Sequence, residues 1–107
     1  MESLLGRTKR LVADGQVRIS AHGYDELAED GLLASEVIDG LTTAEAIEEY
    51  PEFPKGPCVL AIQEDSAGQP IHVVWGIPAG KTAPAVLVTA YRPDPARWDP
   101  TFRKRKP

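Results

Sequence analysis

The C-terminal half of the chain contains two apolar strings, Ile71-His72-Val73-Val74-Trp75 and Val86-Leu87-Val88-Thr89-Ala90-Tyr91, separated by a loop rich in Pro and Gly. Short runs of β-branched and aromatic residues flanked by turn formers are strand signals, and two in succession predict an antiparallel hairpin. Side chains alternate with a period of two, so the pattern also constrains register. Pairing Val73 with Ala90, Trp75 with Val88 and Ile77 with Val86 collects an apolar set on one face. The same register sets His72 opposite Tyr91 and Val74 opposite Thr89. A slip of one residue mixes polar and apolar groups on both faces.

Before this hairpin, Cys58–Glu64 reads as a strand turned by Ser66-Ala67-Gly68-Gln69. Leu60 and Ile62 are expected on the Trp75 face, with Ala61 and Gln63 beside His72. Cys58 is expected to be a small buried hydrophobe. Residues 2–14 form an apolar helix face through Leu4, Leu5, Leu11 and Val12, stopped at Asp14-Gly15. Gln16–Ser20 alternates as a short strand with Val17 and Ile19 inward. Ser20 can cap a helix running to Asp30-Gly31, and Ser35 a third one. Residues 42–50 fit either a helix, because Thr42 and Glu45 have the spacing of a capping box, or an edge strand. Beyond Arg92, Pro93, Pro95 and Pro100 interrupt regular structure, leaving a basic tail from about residue 93. The whole, residues 1–107, is expected to be one α+β domain, with its helices on one face of an antiparallel sheet of about four strands.

Charge is segregated along the chain. The net charge is −4, but both ends are basic: Arg7, Lys9, Arg10 and Arg18 precede an acidic body, and Arg92, Arg97, Arg103, Lys104, Arg105 and Lys106 follow it. Placement therefore matters more than total charge for any anionic partner. One reading of the tail is a solvated end; the other is an anion contact. With no run of about 18 apolar residues, no membrane span is expected. The first residues lack a basic region followed by an apolar stretch, and the single cysteine allows no internal disulfide. A cytoplasmic protein is the expectation. No cofactor motif is legible, and the spacing of the two histidines suggests no metal site.

His22 and His72 are the only histidines. With Tyr91 and Arg92 they supply the parts for metal-independent RNA cleavage. Histidine can take and return a proton near neutrality, and a guanidinium can stabilise charge on a phosphate. Tyr50 and Trp98 could stack on a splayed base, and Gln63, Arg97, Arg103 and Arg105 could line the bound strand. Each component is common, and a strand histidine also serves as an ordinary satisfied polar group.

Several segments occur in a familiar order: Ile19–His22, Leu32–Ile38, Ile47–Pro51, Gln69–Val74 and Val86–Pro93, with Trp98 beyond. Together they resemble a bacterial family defined by a domain of unknown function and related to the RelE/ParE toxin-like proteins. The resemblance implies helices against an antiparallel sheet and a strand at 44–50. It also places His22, Tyr50, His72 and Tyr91 at recurring polar positions. A toxin-like ribonuclease acting on RNA and silenced by an antitoxin-like protein is one implied function. The alternative is a non-catalytic binding module on the same fold, docking a protein or nucleic acid. The family's first histidine is usually followed by a basic helix, whereas Tyr24–Asp30 here is acidic, which favours the alternative.

Overall fold

The computed structural model describes residues 2–107. Helix α1 spans Leu4–Ala13, where Ser3 accepts the Gly6 amide at 3.0 Å and Leu5, Thr8 and Leu11 form the buried face. Strand β1 is Val17–Ile19 and helix α2 is Ala21–Glu29. Ser20 joins them: its hydroxyl accepts from the Gly23 amide and donates to the Val88 carbonyl, both at 2.9 Å. Helix α3 spans Ala34–Asp39 and runs into a 3₁₀ turn at Gly40–Thr43. Its N-cap is Leu33, with no side-chain hydrogen bond, so the cap expected at Ser35 lies inside the helix instead.

Four longer strands follow: β2 (Glu45–Tyr50), β3 (Cys58–Glu64), β4 (Pro70–Gly76) and β5 (Ala85–Tyr91). The sheet order is β1-β5-β4-β3-β2. β2 to β5 pair antiparallel in sequence, while β1 adds to β5 in parallel. The sheet is thus mixed and five-stranded, not antiparallel and four-stranded. The extra edge is the short Val17–Ile19 segment, which pairs with a strand almost seventy residues away and leaves no local signal of its partner.

Helices cover one face, and Trp75, Val73, Ala61, Val59 and Leu87 are buried beneath them with Leu5, Leu27 and Val37. Gly23 allows α2 to lie directly on β5: a Cβ there would meet the Leu87 carbonyl oxygen at 2.8 Å. Gln63 is also on this inner face, correcting its expected position. Its amide donates to the Val37 carbonyl at 2.6 Å and accepts from Trp75 Nε1 at 3.3 Å. Both polar ends are satisfied, which a buried amide requires.

The β4–β5 register holds at His72–Tyr91, Val73–Ala90 and Val74–Thr89. A bulge at Val88 then shifts it, so Trp75 faces Leu87 and Gly76 faces Val86. The expected pairs Trp75–Val88 and Ile77–Val86 do not form. On β3 the faces are reversed from expectation: Ala61 opposes Val73, while Ile62 opposes His72. Cys58, Leu60 and Ile62 therefore lie on the outer face.

Candidate functional site

The outer face of the sheet is divided into a covered half and an open half. Residues 93–107 form the cover. Rather than a loose tail, they are a folded strap crossing from β5 over β4 to the edge strand β2. The strap closes on itself through an antiparallel bridge between Trp98 and Arg105, and the Asp99 amide donates to the Lys104 carbonyl at 2.8 Å. The Asp99 carboxylate accepts from the Thr101 hydroxyl and from the Thr101 and Arg103 amides. These bonds, the Thr101 hydroxyl first, hold its carboxyl below the usual range. Phe102 at the tip takes the left-handed conformation, φ 58°.

His72 lies under the strap and is fully buried. Its Nε2 is 2.7 Å from the Phe102 carbonyl, which can only accept, so Nε2 carries the proton. Nδ1 is then the acceptor for the Tyr91 hydroxyl at 3.3 Å. Trp98 stands edge-on to the imidazole at 4.4 Å between centroids and is only 3% exposed. Arg105 lies over the Trp98 ring at 4.6 Å. Burial lowers the His72 pKa, against the opposing pull of the Phe102 carbonyl, and burial raises that of Tyr91. A neutral imidazole with both nitrogens engaged is a satisfied core histidine.

Two of the strap's five basic residues are paired within the chain. Arg103 pairs with Glu45, and Arg105 pairs with Glu48 at 2.9 Å. Tyr50 donates to the same Glu48, whose pKa is lowered chiefly by Arg105. Tyr50 itself is raised, first by burial and then by Glu48. Arg92 is held apart on Asp65 at 3.0 Å, and its amide donates to Asp30. Arg97 lies exposed on the strap, where its carbonyl accepts from the Lys106 amide.

Of the residues the sequence singled out, His72, Tyr91 and Trp98 are brought together. Trp98 is not available for stacking on a base, because it packs inward on His72. His22 lies elsewhere, on the first turn of α2, with its Nε2 3.4 Å from Glu26.

The open half is a groove of about 580 Å³. Its floor is Cys58, Val74, Gly76, Val86 and Val88, with Tyr50 and Phe53 among its lining aromatics and Arg18, His22 and Lys55 among its polar lining. Gly56, at φ 132°, brings the β2–β3 loop against the Ile77 carbonyl where no side chain would fit. Burial pushes the Cys58 thiol up, so it is a poor nucleophile. Arg18, Phe53, Lys55 and Val88 were not evident as site residues from sequence. Only Arg18 left a trace, as the residue between two inward-facing apolar ones.

Among the described residues, no three His, Cys, Asp or Glu side chains gather as a metal site, and no helix is long and apolar enough to cross a membrane. Fold and groove together define a small α+β domain whose helix-backed mixed sheet presents an apolar, cation-bearing groove. The family model described as Domain of unknown function (DUF4258) matches residues 19–92, and the chain belongs to that family. The match takes in the groove except Arg18, and His72 and Tyr91, but ends before Trp98 and the strap. No curated protein and no solved structure matches the chain.

Proposed function

We propose that this chain is a non-catalytic binding domain on a RelE/ParE-like fold, which holds its ligand in the groove on the outer sheet face. The observation that carries this reading is the contrast between the two halves of that face. The half bearing His72 is sealed, with both imidazole nitrogens engaged, whereas the groove beside it is open and apolar. Open apolar concavities with a few polar groups at their margins are the usual form of ligand sites.

Two further observations support binding over RNA cleavage. Of the guanidinium groups expected to meet an anion, Arg92, Arg103 and Arg105 are paired with Asp65, Glu45 and Glu48, and Arg97 lies exposed on the strap. His22, the expected second acid/base, borders the groove on α2 and pairs with Glu26, whereas His72 lies beneath the strap. The toxin-like ribonuclease alternative retains the adjacency of His72 and Tyr91, and it requires the strap to leave.

The test is incubation of the purified chain with end-labelled short RNAs in chelator, alongside induced expression in a host lacking the gene. Neither cleavage nor growth arrest is expected. Cleavage that disappears in His72→Ala would overturn the proposal.

A further inference from the structure

The lining of the groove specifies more than an apolar ligand. The chain has sixteen acidic residues and a net charge of −4, yet no Asp or Glu lines this groove. Arg18 and Lys55 do line it, and neither has a carboxylate within ion-pair distance among the described residues. On the strap, Arg103 and Arg105 are matched by carboxylates of β2. Two unmatched cations in the groove of an acidic protein are complementary to an anion.

The rest of the lining limits what that anion is attached to. Val74, Val86 and Val88 form an aliphatic floor that gains from burying an apolar body. Tyr50 and Phe53, both exposed, offer aromatic faces. The volume lies within the range of about 300–1,000 Å³ in which small-molecule sites fall. Few cations and an aliphatic floor are a poor match to a polyphosphate chain, which needs many cations along its path.

We propose that the groove binds a small amphipathic anion, an apolar body with one acidic head, the head meeting a cation of the lining, Arg18 or Lys55, and the body lying on the valine floor. This rests on the reading of the groove as the ligand site and adds the charge of the ligand.

Octanoate, 1-octanol and octylammonium share an apolar body and differ in the head. Each is titrated into the full chain while the methyl signals of Val74, Val86 and Val88 are followed by NMR. Octanoate is expected to shift these methyls and to bind several-fold tighter than octanol, with octylammonium weakest. Each exposed charge pair contributes modestly, so Arg18→Gln with Lys55→Gln is expected to weaken octanoate by about fivefold. Octanol binding is expected to change less than octanoate binding in that variant. Equal binding of all three probes at the valine methyls would overturn the anion preference while leaving the groove as a binding site. Failure of every probe to move those methyls would overturn both statements.

Discussion

Replacing Trp98 with Ala is the most informative perturbation of the covered half. The indole is 3% exposed, packs edge-on to His72 at 4.4 Å and lies under Arg105 at 4.6 Å. An aromatic side chain buries roughly 150–250 Å², and at about 25 cal/mol per Å² this is worth about 4–6 kcal/mol. That figure is an upper bound, because the area is referred to a fully extended chain and the strap can relax or detach. Measured truncations of buried Trp or Phe cost about 3–5 kcal/mol, so about 3 kcal/mol is expected here. For a domain of this size such a loss lowers Tm by roughly 12 °C. Urea denaturation followed by far-ultraviolet circular dichroism measures it. Loosening the strap also re-exposes His72, so its NMR titration midpoint should rise toward the ordinary histidine value near 6.5. Trp98→Phe keeps part of the packing and should lose about half as much. A loss below about 1 kcal/mol in Trp98→Ala, with His72 still titrating low, would refute the view that Trp98 seats the strap.

Two further predictions concern pH and packing. Burial lowers the His72 pKa in the folded chain, so between that value and the unfolded value near 6.5 the unfolded chain binds more protons. The His72 contribution to stability is therefore complete above about pH 6.5 and declines as pH falls below it. Urea midpoints at pH 7.5, 6.5 and 5.5 should show this decline in the wild type and a shallower one in His72→Gln; parallel profiles would contradict it. Gly23→Ala should destabilise despite the gain of about 1 kcal/mol in helix propensity, because the new Cβ meets the Leu87 carbonyl at 2.8 Å. Overpacking of this kind costs about 1–3 kcal/mol, and an unchanged urea midpoint would show that α2 does not lie so close to β5.

What the sequence determined by itself was local. Ser20 as a cap and the stops at Asp14-Gly15 and Asp30-Gly31 follow from backbone chemistry within a few residues, and each stands where expected. The first half of the β4–β5 register followed from the polar marks of His72, Thr89 and Tyr91. Strand β3 had no such marks. Six of its seven residues are buried, so both faces are apolar and the period-two signal that separates them disappears. That is why Gln63 was expected on the outer face when it is the inner-face partner of Trp75. The strand at 45–50 came from family resemblance, since its local chemistry, with Thr42 and Glu45 at capping-box spacing, favoured a helix. Tertiary structure alone decided the rest. The bulge at Val88 turns two valines outward to floor the groove, and the parallel pairing of β1 brings Arg18 to its lining. The strap's place over His72 depends on Trp98, Arg103 and Arg105 meeting residues 26 to 58 positions earlier in the chain. Contacts at that separation carry no sequence period, so the groove and its cover become visible only once the sheet is assembled.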